Sequence, residues 1–279
     1  MTSATDNLAA GSASMPTCRQ QQRVTQVRVI RSEWTKLRTQ PSAFWALLSA
    51  VILVVGFGIG YSLLRVARPP HGAAAIASFD PTAISLSGVQ LAQIAVGVLG
   101  VLLITSEYST GLFRTTFAAV PRRLPVLWGK AALLAATVAT VSLPAVFAAF
   151  LGGQSILGRQ HLSVPLSEVG AVRAVIGSAL YLAVIGLLGL GLGAIIRNPA
   201  GGVAALFGVL YGLPLAAGLL PGMLAPDVTK YLPATAGQAV ATAQPDPTLL
   251  QPWTGFGVLC CYVAVLLGVA AARMRRGDA

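Results

Sequence analysis

Six long apolar runs separated by polar intervals set the pattern of this chain, at residues 42–64, 84–104, 126–151, 174–196, 200–220 and 254–272. At about 1.5 Å per helical residue, roughly 20 residues cross a hydrocarbon core of about 30 Å, and every run is close to or above that length. None alternates over about ten residues with the period of two that a membrane β-barrel strand shows. The pattern therefore predicts an all-α membrane protein with six transmembrane helices.

The stretch ahead of the first run reads differently. Residues 1–22 are small and polar, with neither a basic start nor an apolar core, so a disordered tail is expected rather than a signal peptide; Met1 and Met15 are both candidate starts. In residues 23–40, Val27, Ile30, Trp34 and Leu37 recur at spacings of three, four and three and share a helical face, while Arg28 and Lys36 point elsewhere. This segment is too short and too charged to span. It predicts an amphipathic helix in the cytoplasmic interface, with Trp34 at headgroup level, Arg31 and Arg38 reaching phosphates, and Pro41 ending it. A basic anchor that only sets topology would occupy the same place. Residues 41–279 then form the membrane domain, with a long outer loop at 221–252.

Composition sharpens the picture: 55% of the 279 residues are hydrophobic and 10% are charged, against about a quarter in soluble domains. Of the 19 Lys and Arg residues, only Arg65, Arg68, Arg159, Arg173 and Lys230 fall on the far side of the spans from the N-terminus, whereas the acids divide evenly. Because basic residues are retained in the cytoplasm, both termini are expected there. The formal net charge of +11 then reflects topology and contact with anionic lipid, and no nucleic-acid partner is expected.

The spans are rich in glycine, and their cores read as free of ionisable groups. Gly56 and Gly60, Gly189 and Gly193, and Gly208 and Gly212 each make a GxxxG spacing, which allows close helix approach in lipid. Pro144 and Pro214 are expected to kink their helices. Gln90 and Gln93, the most polar intramembrane positions, share a face with Gly97 and Gly100; that stripe either lines a pathway or bonds to a neighbouring helix.

Chemistry of the chain's own is not in view. The only Gly-Lys, at Gly129 and Lys130, lacks the upstream glycine of a phosphate-binding loop and is followed by Ala131. His71 and His161 have no cysteine beside them, and Cys260 and Cys261 sit side by side in the last span as small apolar residues. No catalytic residue, metal site or bound cofactor is expected, and the chain is not expected to be an enzyme.

One polar interval stands apart. Residues 106–123, SEYSTGLFRTTFAAVPRR, come after the second run on the cytoplasmic side; as a helix they align Phe113, Phe117 and Val120 on one face and Glu107, Gly111, Arg114 and Ala118 on another. Such a surface helix offers a polar face to a soluble partner, or the Arg122 and Arg123 pair simply fixes topology.

Here the chain resembles a family. The basic helix before the first span, the E-Y-S-T-G-x-x-R-x-x-x-x-x-x-P-x-R run from Glu107 to Arg123, Ile196-Arg197-Asn198-Pro199, Tyr231-Leu232-Pro233-Ala234 and the short basic tail look like the permease subunits of bacterial type 2 ABC transporters. The resemblance implies a multi-pass protein of the bacterial plasma membrane, an exporter coupled to a separate ABC ATPase subunit that carries the ATP and Mg. It also implies a second permease copy or a related permease. Glu107, Gly111, Arg114, Phe117 and Arg122 would form the coupling surface to the ATPase, and short helices would dip at the outer face between the last two spans. Two alternatives stay open from the residues alone: a membrane scaffold or regulator without transport, and an ion-coupled carrier, which the lack of intramembrane acids disfavours.

Overall fold

The computed structural model describes residues 41–68, 79–109, 124–219, 225–244 and 249–276. Its helices are α1 (Pro41–Ala67), α2 (Pro81–Ser85), α3 (Val89–Ser109), α4 (Leu124–Leu157), α5 (Ala171–Ile196), α6 (Pro199–Phe207), α7 (Leu213–Ala217), α8 (Ala225–Thr229), α9 (Pro233–Gln238) and α10 (Pro252–Arg276). A π-helical turn, Gly208–Gly212, joins α6 to α7. There is no strand among the described residues. Six helical segments are long and apolar enough to cross a membrane: α1, α3, α4, α5, the α6–π–α7 unit and α10. The chain is an all-α, multi-pass membrane protein. The expected tail, the interfacial helix with Arg28, Arg31, Trp34 and Lys36, and loop residues Gly111, Arg114, Phe117 and Arg122 lie outside the described residues.

The core is built around α5. Of its most apolar window 72% is buried, against 22% for α1 and for the α6–π–α7 unit, so α5 is the inner helix and those two are peripheral. Its approach to α3 is a backbone contact: a Cβ on Gly189 would lie 2.1 Å from the Gly97 carbonyl oxygen, and one on Gly100 would lie 2.0 Å from that of Gly186. Only glycine fits there. Large apolar side chains such as Ile52, Phe57, Leu215 and Val265 face outward, a surface that water would penalise and lipid accepts. Exposed Phe44, Trp45 and Trp128 near one end of the bundle, and Tyr231 and Trp253 near the other, fit the two aromatic belts of a bilayer.

Three spans depart from the expected runs. The second begins at Val89 rather than residue 84, because Asp80 caps the separate helix α2 through the amides of Thr82 (2.9 Å) and Ala83 (3.1 Å), with Pro81 at its first position. The chain then turns through Gly88, where a Cβ would meet the Leu53 carbonyl oxygen at 2.3 Å. The third span does not stop near residue 151. It continues to Leu157 because Gln154 finds partners at the end of the bundle: its Nε2 donates to the Pro81 carbonyl and to Ser85 Oγ (both 3.1 Å), and its Oε1 accepts from the Val164 amide (2.8 Å). Lys130, about one turn inside the N-terminal end of this span, is only 3% exposed, so a basic side chain is buried at the end of the bundle rather than at mid-span.

The third departure arises at Pro214. Helix α4 runs unbroken through Pro144, but the fifth span widens ahead of Pro214. Proline has no N–H for the carbonyl four residues back, here that of Leu210. The helix answers with a π register, in which the Leu213 amide donates to the Gly208 carbonyl five residues behind it.

Short connections hold the bundle ends. Arg197 takes a left-handed conformation (φ 60°) to end α5, and Asn198 at once caps α6 by accepting from the Gly201 amide at 3.1 Å, with Pro199 in its first turn. At the opposite end, α9 and the 3-10 turn Ala239–Ala241 fold back against α5 and α10. Ala234, Ala236 and Val240 are buried there; Gly177 makes room for the Val240 carbonyl and Gly255 for that of Ala236. The guanidinium of Arg173 donates to the carbonyls of Thr242 (3.0 Å) and Ala243 (3.2 Å), fixing the exit of this segment.

Candidate functional site

Gln90 and Gln93 share one face of the first turns of α3, yet they have different surroundings. Gln93 is buried at 1% exposure, while Gln90 is exposed. Around them the fold gathers three residues from other elements: Tyr181 in α5, Tyr211 in the π turn and Gln238 at the end of α9.

The hydrogen bonds among these five close without a spare group at the centre. Tyr181, fully buried, donates its hydroxyl to Gln93 Oε1, which fixes the orientation of the amide. Gln93 Nε2 then donates to Tyr211 Oη at 3.0 Å and, more weakly, to Gln90 Oε1 at 3.5 Å. Tyr211 donates in turn to the Gln90 backbone carbonyl at 3.2 Å. Gln90 Oε1 takes a second bond from Gln238 Nε2 at 3.0 Å. A carboxamide placed in hydrocarbon without partners costs several kcal/mol, about 4–8 by alkane transfer, so satisfying Gln93 is a condition for burying it.

Chemically, the cluster offers amide and phenol groups and no formal charge. The exposed side of Tyr211 adds an aromatic surface, with the Phe207 ring 6.0 Å away at a 30° tilt and open space over Gly208 and Gly212. It can hold helices together and can present hydrogen bonds to a neutral or amphiphilic molecule at the Gln90 side. For Gln93 the geometry supplies bonds to neighbouring helices.

Among the other predicted site residues, Glu107 falls in the last turn of α3, which runs through Ser109 and so carries helical backbone into the start of the expected loop. Tyr181, Tyr211 and Gln238 are absent from the residues singled out by sequence. A signal for the tyrosines exists: a hydroxyl inside an apolar span needs a partner, and the two glutamines are the most polar partners on offer.

The sequence matches none of the protein-family models compared with it, and none of the curated proteins compared with it matches either.

Proposed function

We propose that the chain is the membrane-spanning permease subunit of an ATP-driven type 2 ABC transporter of the bacterial plasma membrane, moving its substrate outward. The single observation that best supports this is the return of α9 and the adjoining 3-10 turn against α5 and α10, the arrangement that the resemblance implies between the last two spans. Two shorter motifs of the resemblance also fall at structural junctions. Arg197-Asn198-Pro199 makes the tight turn from α5 into α6, and Pro233-Ala234 opens α9 with Ala234 buried.

In this proposal the chain binds no nucleotide; ATP and Mg belong to an ABC ATPase subunit, and a second copy or a related permease completes the pathway. Glu107, Gly111, Arg114, Phe117 and Arg122 receive the ATPase, the basic residues of the N-terminal helix rest on anionic lipid, and Gln90 faces the pathway. Closure of the ATPase pair pushes on the segment after α3 and tilts the spans between two packed arrangements.

Purification of the tagged chain from its own membranes in mild detergent tests this. An ABC ATPase that copurifies, with transport in inverted vesicles that stops when ATP is withdrawn, supports the proposal. Repeated absence of any ATPase leaves the scaffold reading, and transport that survives ATP depletion but collapses with an ion gradient leaves the carrier reading.

A further inference from the structure

We propose that Gln93, oriented by Tyr181, is a latch that ties the π turn of the fifth span and helix α9 to α3, so that these elements open together. The latch does not depend on the chain's working with an ATPase. Three observations meet in it. The first is that the π turn is a local departure from helical register, held between Gly208 and Gly212, where no atom of the described residues lies within 4 Å of where a Cβ would stand. No described atom therefore crowds the turn at these two positions, and what opposes rewinding is the Leu210 carbonyl that Pro214 leaves without a donor. Recovering α register there would rotate the downstream helix α7 by about 100° and shift it by about 1.5 Å.

The second observation is that the only tyrosine of the π turn, Tyr211, uses its hydroxyl both ways, accepting from Gln93 and donating to the Gln90 carbonyl. A rewound turn would swing this ring off α3 and break both bonds. The third is that Gln238, the last residue of α9, reaches the cluster through the same Gln90 side chain that Gln93 also holds. Release at Tyr211 frees the Gln93 amide to turn, and with it the 3.5 Å bond through which Gln93 orients the Gln90 side chain that Gln238 holds; the packing of Ala234, Ala236 and Val240 stays in place. Tyr181 acts as a positioning residue: without its donated proton the Gln93 amide can flip, and the bond to Tyr211 loses its donor.

Backbone hydrogen exchange of the full chain in lipid nanodiscs, read by mass spectrometry, tests the latch directly. Tyr211→Phe removes one hydroxyl and keeps the ring. It should speed exchange in the π turn and also in residues 234–241, with which Tyr211 shares no hydrogen bond, by roughly three- to tenfold, the factor set by one or two bonds of the strength found in membrane bundles. Gln93→Leu should reproduce both effects, and α1 should exchange as in the unaltered chain. If Gln93→Leu fails to fold, Tyr181→Phe provides the second reading of the same bond set. Acceleration confined to the substituted helix, or none at all, would overturn the latch; neither result bears on whether an ATPase copurifies.

Discussion

Adding one methyl group at Gly189 should be among the most damaging small changes to this fold, and adding one at Gly60 among the least. Both glycines belong to GxxxG spacings, so sequence alone ranks them equally. At Gly189 the new Cβ would stand 2.1 Å from the Gly97 carbonyl oxygen, whereas ordinary contact begins near 3.4 Å. The helices α3 and α5 must then separate by more than an ångström, because the obstacle is backbone and has no rotamer to change. Overpacking of this kind costs about 1–3 kcal/mol where side chains can adjust, and a backbone clash belongs at or above the upper end. At Gly60 no atom of the described residues lies within 4 Å of the new Cβ, and alanine is the better helix former by up to about 1 kcal/mol, so Gly60→Ala should be neutral or slightly stabilising. Thermal unfolding of the two variants as detergent-solubilised single chains, tracked by the loss of the monodisperse chromatographic peak, compares them under one condition. A Gly189→Ala variant that unfolds with the unaltered chain would refute the backbone-contact argument, as would equal destabilisation by Gly60→Ala.

Two individual contacts and the proposed coupling surface give further expected outcomes. Asn198→Ala removes the side chain that caps α6 and should lower stability by about 1 kcal/mol in the same unfolding assay, with Asn198→Asp retaining most of it. Arg173→Met frees the carbonyls of Thr242 and Ala243 and should make the peptide bonds near 242–244 more sensitive to limited proteolysis added from the α9 side, leaving the spans intact. For the proposed function, Glu107→Ala should insert and assemble with the ATPase as before yet transport more slowly; a normally expressed variant with unchanged transport would remove Glu107 from the coupling role.

The six spans were legible in sequence because length and apolarity are local properties, and a run of about 20 such residues has few other places to go. Most ends fall within a few residues of the observed helices, but the start of the second span and the end of the third do not. Gln154 extends α4 because Pro81, Ser85 and Val164 meet it from other parts of the chain, and no window around residue 151 contains that information. Glycine spacing marks dense packing without choosing the pair that makes it: Gly189 and Gly193 meet α3, whereas no described atom lies within 4 Å of a Cβ on Gly56 or Gly60, and the three-residue gap says nothing about which side of a helix will be covered. Gly97 and Gly100 stand in the sequence as companions of the glutamines, and their close approach to α5 helps to set the core.

The glutamine stripe shows how far such a reading can go. An i, i+3 spacing correctly places Gln90 and Gln93 on one side of α3, but a helical side is wide enough to meet several partners. Those partners stand far along the chain from Gln93 and Gln90: Tyr181 by 88 positions, Tyr211 by 118 and Gln238 by 148. One half of the explanation was nevertheless present at Pro214. A proline in a span leaves the carbonyl four residues back without its donor, and one response besides a kink is a widened turn just before it. Tyr211 lies in that turn, so the backbone departure and the side-chain network have a common origin: the register that accommodates Pro214 is also the register that brings the Tyr211 hydroxyl to α3. A hydroxyl inside an apolar span needs a partner, so a polar residue beside a proline there calls for one on the facing helix before it calls for a substrate.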